Sequence, residues 1–159
     1  MGYPASLYGS PSDTFLTLPA DLTLGQCHID LNTGHKRMLV MANGTITAGQ
    51  AVAYDATQAN NYTVVACPTG QNVLGINDTS GSAGGTTVTV AANPYFWATT
   101  GGPCTALVTA STAAGVPLAC NTTAGTLTTA ADTDVSLANV ETRAASGGSG
   151  GATACWFFG

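Results

Sequence analysis

Basic side chains are nearly missing from this chain of 159 residues, which has only three of them. Charged residues make up 7% of the chain, and the formal net charge is −5. Nucleic-acid binding needs clustered lysine and arginine side chains that neutralise phosphates. Lys36-Arg37 is the one adjacent basic pair, and we interpret it as part of a solvated turn. The sequence therefore predicts no nucleic-acid partner.

Long apolar runs are missing as well. No stretch approaches the roughly 20 apolar residues that a transmembrane helix needs. The first 25 residues are interrupted by Pro4, Pro11 and Pro19, and they lack the basic start and continuous apolar stretch of an export signal. We therefore expect no membrane partner and no secretory route.

Cysteine spacing gives no sign of a disulfide framework. The five cysteines are odd in number and form no C-x-x-C motif: Cys27, Cys67, Cys104, Cys120 and Cys155. Without an export signal, we expect reduced thiols that are mostly buried as small apolar side chains. A single disulfide, such as Cys104–Cys120, stays open as an alternative.

Groups that could carry catalysis or bind a cofactor are few. Cys27, His28 and His35 resemble metal ligands, but no fourth ligand follows at a standard spacing. Asp132 and Asp134 could form a carboxylate pair, but no histidine or third acid lies nearby in the sequence. No serine lies in a G-x-S-x-G motif. We therefore predict no catalytic residues, no metal site and no cofactor, and hence no enzyme.

Small side chains are abundant: alanine, threonine, glycine and serine make up about half of the chain, while 45% of all residues are hydrophobic. This composition is typical of a folded chain of thin strands and tight turns. Roughly ten short strands between turn signals predict an all-β fold, a small barrel or sandwich. We expect them at Met38–Ala42, Gln50–Tyr54, Tyr62–Cys67, Val73–Asn77, Thr86–Ala92, Tyr95–Thr100, Thr105–Thr109, Val116–Ala119, Thr126–Thr129, Ser136–Arg143 and Ala152–Phe158.

The second half of the chain repeats the first. At an offset of 66 residues, Ala48–Thr57 matches Ala114–Thr123, which aligns residues 52 and 118. Each half continues through a glycine-rich loop to a strand with aromatics, Tyr95-Phe96-Trp97 or Trp156-Phe157-Phe158. Two tandem β units, each unable to bury its apolar face alone, explain this order. We predict two pseudo-repeats, with residues 44–99 superposing on 111–158.

The first 25 residues differ from the rest, with three prolines and little periodicity. They carry too many apolar side chains for a solvated linker, and we predict an extended arm that docks on its own barrel or on a neighbouring subunit. We divide the chain into an arm and lead-in, residues 1–37, and a β-barrel domain, residues 38–159. The candidate subunit or capsid contacts are Tyr3, Leu7, Tyr8, Phe15, Leu16, Leu18 and Leu22.

Several segments together resemble the small capsid decoration (cement) proteins of tailed bacteriophages, of the β-tulip-like type. The segments are Ile46–Asp55, Val73–Ile76, the glycine loop into Thr86–Val90, Ala114–Ala119 and the closing hairpin with Ser146–Gly151. The resemblance is one of pattern over roughly residues 44–158, and the arm departs from it.

The resemblance implies a structural virion protein without an active site. Such a protein is made in the cytoplasm of the host bacterium and lies on the outer capsid surface as a homotrimer, where it bridges subunits of the major capsid protein. The alternative is a receptor- or glycan-binding β module of a phage fibre or surface adhesin. Its candidate site is Asn60, Asn61 and Tyr62, because glycan sites combine exposed aromatics with asparagine or aspartate.

Overall fold

A computed structural model describes residues 14–60, 62–78, 87–131 and 139–158 of the chain. All of the regular structure in these ranges is β, which confirms the predicted fold class. No helix among these residues is long and apolar enough to cross a membrane. The strands are β1 (Thr14–Phe15), β2 (Cys27–Ile29), β3 (Lys36–Ala42), β4 (Ala51–Tyr54), β5 (Thr63–Ala66), β6 (Gly75–Ile76), β7 (Tyr95–Val108), β8 (Pro117–Cys120), β9 (Leu127–Thr129), β10 (Val140–Thr142) and β11 (Gly151–Phe157).

The strands close into two hydrogen-bonded rings that share β7. In the first ring, β3 pairs with β5, β5 with β4, β4 with β6, β6 with β7, and β7 with β3. In the second, β7 pairs with β9, β9 with β8, β8 with β10, β10 with β11, and β11 with β7. Each ring has one parallel pair, β3–β5 or β7–β9. We call the two rings the first barrel and the second barrel.

The two barrels are the two pseudo-repeats of the sequence. β4 pairs with β5 and β6 in the way that β8 pairs with β9 and β10. Val52 and Leu118 occupy the same position in these strands, and both are fully buried. The offset of 66 residues was therefore correct for these strands.

The turn that leads into β4 and into β8 is repeated as well. Gly49 and Gly115 have φ angles of 79° and 73°, and their amides donate to the carbonyls of Asn77 and Thr142 at 2.6 and 2.8 Å. The side chains of Asn77 and Thr142 each donate to the carbonyl two residues before that glycine, at 3.2 and 2.7 Å. An amide and a hydroxyl thus perform the same capping task in the two barrels.

The aromatic segments of the two halves are not equivalent, contrary to the sequence comparison. In the first barrel, Met38 of β3 lies opposite Ala98 of β7. At the equivalent positions of the second barrel, Cys104 of β7 lies opposite Cys155 of β11. Trp156 therefore corresponds to the position after Ala98, and not to an aromatic residue. The loops of the two halves differ in length, so matching aromatics by their order alone gave the wrong register.

β7 is one strand of 14 residues where the sequence predicted two, Tyr95–Thr100 and Thr105–Thr109. The gap between the two predicted strands, residues 101–104, contains two glycines and a proline, residue types that commonly interrupt strands. Instead, Gly102 adopts a φ of 87°, and a side chain there would collide with the backbone carbonyl of Gly34. The strand bends here and passes from the first barrel into the second.

Other strand predictions also need correction. Of the strand expected at Thr86–Ala92, the described part contains only an isolated bridge at Val88. The strand expected at Ser136–Arg143 is the shorter β10, and residues 136–138 lie outside the described ranges. β1 and β2 were not predicted, and both pair with strands of the first barrel, since β1 joins β7 and β2 joins β3.

Each barrel has its own apolar core, and equivalent positions fill the two cores. The first core includes Met38, Val40, Ala42, Val52, Val64 and Ala98, and the second includes Cys104, Ala106, Val108, Leu118, Leu127 and Cys155. β4 lies between them, because Val52 belongs to the first core while Ala51 and Ala53 belong to the second. The barrels therefore form one packed body.

A disulfide joins Cys67 to Cys120, so two of the five cysteines depart from the expected reduced state and a single disulfide, the alternative left open, is present. The pair suggested for it, Cys104–Cys120, is wrong, because Cys104 lies opposite Cys155 and both are free thiols. Cys67 follows β5 of the first barrel and Cys120 ends β8 of the second, so the bridge crosses between barrels. No spacing rule points to this pair, since its partners are 53 residues apart and belong to different repeats.

Candidate functional site

The described part of the N-terminal arm lies on the outside of the first barrel. β1 pairs with the start of β7, and Phe15, Leu18 and Leu22 pack against Leu39 and Trp97. Leu39 and Trp97 alternate along β3 and β7 with residues of the first core, so their side chains point out of the barrel. The described part of the arm covers these two side chains and so docks on its own barrel, one of the two docking places that the sequence analysis left open.

Four of the seven candidate contacts lie in the described residues, and Leu16 is the most accessible of them, with 63% of its surface exposed. Leu22 is buried. Tyr3, Leu7 and Tyr8 lie outside the described residues. A role of these side chains in subunit or capsid contacts stays a prediction.

The hairpin between β2 and β3 presents a leucine to solvent, since Leu31 is 91% exposed. The Asp30 carboxylate accepts hydrogen bonds from the Asn32 amide at 2.9 Å and the Thr33 hydroxyl at 2.7 Å. The Asp30 carbonyl accepts one from the Gly34 amide at 2.8 Å. The Thr33 hydroxyl, followed by the Asn32 amide, lowers the pKa of the Asp30 carboxyl. We call residues 27–37 the Leu31 hairpin.

Sequence reasoning missed the Leu31 hairpin, although its signal is present. The run Asp30-Leu31-Asn32-Thr33-Gly34 has the residues that tight turns prefer, with a leucine where a polar residue is expected. Single exposed apolar side chains are common on protein surfaces, and Leu31 stands out because it lies on a hydrogen-bonded turn beside a second exposed aliphatic side chain, Ile29.

The three residues that resemble metal ligands have other roles. Cys27 is exposed on β2, and the His28 ring packs edge-on against Trp97 with centroids 6.3 Å apart. The His35 Nδ1 lies 2.7 Å from the Thr33 hydroxyl. In the described ranges, no three His, Cys, Asp or Glu side chains gather in a way that could hold a metal ion.

A cleft of about 520 Å³ on the second barrel is lined by the free thiols Cys104 and Cys155 together with Trp156 and Arg143. The Arg143 guanidinium lies 5.4 Å from the Trp156 ring centroid and 3.5 Å from the Glu141 carboxylate. Burial raises the pKa of the Cys155 thiol to about 11 and raises that of Cys104 further. Because only the thiolate is a nucleophile, both thiols have a packing role at neutral pH.

Another cleft, of about 510 Å³, lies at the turn between β4 and β5. We call it the tyrosine cleft, and its lining residues are Tyr54, Asp55, Ala56, Gln58, Asn60 and Tyr62. It includes two of the three residues of the sequence-based glycan candidate, Asn60 and Tyr62, while Asn61 lies outside the described residues. Sequence reasoning missed Tyr54 and Gln58, because only the closing of the turn brings them to this cleft.

Asp132 and Asp134, the carboxylate pair considered from the sequence, lie outside the described residues. No family model matches the chain, and no curated protein matches it. The function is therefore inferred from the geometry of the two barrels and their exposed side chains.

Proposed function

We propose that this protein is a structural component of a bacteriophage virion that decorates and stabilises the outer surface of the capsid. It bridges subunits of the major capsid protein as a homotrimer, and it is made in the cytoplasm of the host bacterium. The proposal assigns no catalytic activity. The observation that carries it is the exposed Leu31 on its rigid hairpin.

The Leu31 hairpin has the properties of an attachment anchor. Transfer of a leucine side chain from water into a pocket on a partner contributes about 1.5–3 kcal/mol. Leu31 is almost fully solvated in the single chain, and Ile29 on the same hairpin is exposed as well. Asp30 fixes the turn through three hydrogen bonds at or below 2.9 Å, so docking would cost little ordering entropy.

The body behind the hairpin suits a static scaffold. The two barrels share β7 and pack against each other through β4, so a load on one barrel is transmitted to the other. Few charges also reduce the cost of desolvating an interface. A subunit that binds only the mature shell lowers its free energy by RT ln(1 + [L]/Kd) at each site, and this gain repeats over the whole lattice.

The test is co-sedimentation with expanded, decoration-free shells built from the major capsid protein of the same phage. Leu31→Asp should leave the melting temperature unchanged, because Leu31 packs against nothing, and should reduce binding by about tenfold or more. Val90→Asp, which changes another exposed aliphatic side chain on a turn, is the matched control and should bind normally.

The arm requires a separate variant. Deletion of residues 2–13 removes Tyr3, Leu7 and Tyr8 but keeps the leucines that cover Trp97. If this variant still sediments with shells, residues 2–13 are not an attachment element. If the unaltered protein fails to sediment, or is monomeric by analytical ultracentrifugation at micromolar concentration, the decoration proposal is wrong.

A further inference from the structure

The Tyr62 ring forms a fixed wall of the tyrosine cleft. The hydroxyl end of the ring lies on the backbone of Gly25, where any side chain would collide with it. The Gly25 amide in turn donates to the Leu39 carbonyl of β3 at 2.8 Å, so the surface under the ring belongs to the barrel. Tyr62 is 36% exposed. A ring held in this way offers a binding surface without losing rotamer entropy when a ligand arrives.

Hydrogen bonds to the Asp55 carboxylate fix the turn that forms the floor of the cleft. This carboxylate accepts hydrogen bonds from the Thr57 amide at 2.9 Å, the Thr57 hydroxyl at 2.7 Å and the Asn43 amide group at 2.6 Å. The Tyr62 amide donates to the Asn60 Oδ1 at 3.0 Å, which orients the Asn60 side chain. The turn is thus fixed before any ligand binds.

Several polar groups lining the cleft are available for a ligand. The Asn60 Nδ2 and the side-chain amide group of Gln58 have no hydrogen-bond partner among the described residues, and Gln58 is exposed. Tyr54 is 45% exposed. Burial and, to a lesser degree, the neighbouring Tyr62 and Cys27 raise the pKa of its hydroxyl, which therefore stays a donor at neutral pH. Amides and phenols both donate and accept, as hydroxyl groups do.

The chemistry of the lining excludes a phosphorylated or acidic ligand. Among the described residues that line the cleft there is no lysine or arginine, and Asp55 is the one charged residue of this set. Two aromatic rings suit the apolar C–H face of a pyranose, because the π face of an aromatic ring is electronegative and attracts such hydrogens. The volume of about 510 Å³ lies within the range of roughly 300–1,000 Å³ that is usual for small-molecule sites.

We propose that the tyrosine cleft binds a neutral carbohydrate, with a pyranose ring stacked on Tyr62 and its hydroxyl groups paired with Asn60, Gln58 and Tyr54. This inference does not depend on capsid decoration. A virion protein and a free β module could both use such a site to hold a cell-surface glycan.

The experiment is a titration of the full chain with neutral oligosaccharides, followed by isothermal calorimetry and by the NMR signals of the tyrosine rings. The probes are hexasaccharides of α- and β-linked glucose, β-linked N-acetylglucosamine and α-linked mannose. We expect at least one probe to bind and to shift the ring signals of Tyr54 and Tyr62. Tyr62→Ala should weaken that binding by about tenfold or more.

Two further variants protect the test against a loss of fold in Tyr62→Ala. Asn60→Asp keeps the acceptor for the Tyr62 amide but removes the Nδ2 donor, and Gln58→Ala removes an exposed side chain. Each should weaken binding by about two- to tenfold with an unchanged melting temperature. Leu31→Asp is the control, because it alters the proposed capsid contact and should leave sugar binding intact.

The proposal is overturned if no probe shifts the ring signals, or if Asn60→Asp and Gln58→Ala bind as tightly as the unaltered protein. It is also overturned if a proline-rich peptide fills the cleft and the sugars do not, or if Tyr62→Ala changes the oligomeric state while no sugar binds. In these two cases the cleft is a protein contact.

Discussion

Gly25 meets two requirements at once, and no other residue type satisfies both. Its φ of 83° lies in the left-handed region, where a Cβ atom costs about 1–2 kcal/mol. It also supports the Tyr62 ring, which a Cβ atom would displace. The backbone of Gly25, just before β2, therefore supports the Tyr62 ring that lines the tyrosine cleft.

Gly25→Ala should lower the free energy of unfolding by about 2–3 kcal/mol, because backbone strain and displacement of the ring add together. Gly34→Ala is the matched control: its φ is 75°, but no atom lies within 4 Å of the added Cβ. It should cost only about 1 kcal/mol. Urea unfolding measures both, and equal losses would mean that the Tyr62 ring moves aside freely.

Asp55 and Asn121 are equivalent residues of the two barrels, and they differ in charge. The Asp55 amide donates to the Thr63 carbonyl at the start of β5, at 2.9 Å, and the Asn121 amide donates to the Thr126 carbonyl just before β9, at 2.8 Å. Hydrogen bonds from the Thr57 hydroxyl, from Asn43 and from the Thr57 amide lower the pKa of the Asp55 carboxyl. Its stabilising contribution is present above the unfolded-state pKa of about 3.9 and is lost as the pH falls through the lower folded-state pKa.

Asp55→Asn should therefore flatten the fall in melting temperature below about pH 4. Asn121→Asp should steepen it, because the new carboxylate would accept the same bonds from Thr122 that the amide accepts now. Thermal unfolding between acid and neutral pH measures the slopes. An unchanged slope in Asp55→Asn would contradict the role given to this carboxylate.

At the scale of single elements, β10 depends on a buried hydroxyl. Thr142 is fully buried. Its Oγ1 donates to the Ala113 carbonyl at 2.7 Å and accepts from the Val116 amide at 3.1 Å. This side chain pins the turn before β8 to β10, as Asn77 pins the turn before β4 in the first barrel. The repeat therefore preserves a hydrogen-bonding task and not a residue type.

Thr142→Val keeps the shape of the side chain but removes the hydroxyl that pairs with the Ala113 carbonyl and the Val116 amide. It should lower the free energy of unfolding by about 1–3 kcal/mol, measured by urea unfolding. Thr129→Val, at the exposed end of β9, should stay within about 0.5 kcal/mol of the unaltered protein. If the two variants are equally stable, water replaces the Thr142 hydroxyl and the capping interpretation is wrong.

The elements also show what the sequence could predict. Alternation and turn residues were enough to place β3, β4, β5, β8, β9 and β11, because these strands have buried residues and lie between segments rich in turn-forming residues. Alternation and turn residues could not show that β7 continues through Gly101-Gly102. The strand continues because its two halves pair with different barrels, and this pairing is not visible in the local sequence. The tyrosine cleft was predicted in part, from Asn60 and Tyr62, but Tyr54 joins it only through strand pairing.

At the scale of the whole molecule, the two barrels are joined by a shared strand, by shared core residues, by a disulfide and by hydrogen bonds such as that from the Ala51 amide to the Gly125 carbonyl at 2.8 Å. β7 is common to both, Ala51 and Ala53 of β4 enter the second core, and the Cys67–Cys120 disulfide connects the ends of β5 and β8. Because small side chains give each barrel a thin core, neither is expected to be stable alone. We therefore expect a single cooperative unfolding transition, in which the disulfide acts on both barrels.

Loss of the disulfide should lower the stability of the entire molecule. The bridge closes a segment in which the two cysteines are 53 residues apart, and restricting a loop of this size in the unfolded chain contributes about 2–4 kcal/mol. The double variant Cys67→Ala/Cys120→Ala should therefore unfold at lower urea concentration in one transition. Cys27→Ser, which changes an exposed free thiol, should leave the midpoint unchanged.

Thiol titration of the denatured protein without reductant should find three reactive groups, Cys27, Cys104 and Cys155, and five after reduction. Five reactive thiols without reductant would show that the bridge is absent from the protein in solution, and the first and second barrels would then be held together by β7, by their shared packing and by the hydrogen bonds between them.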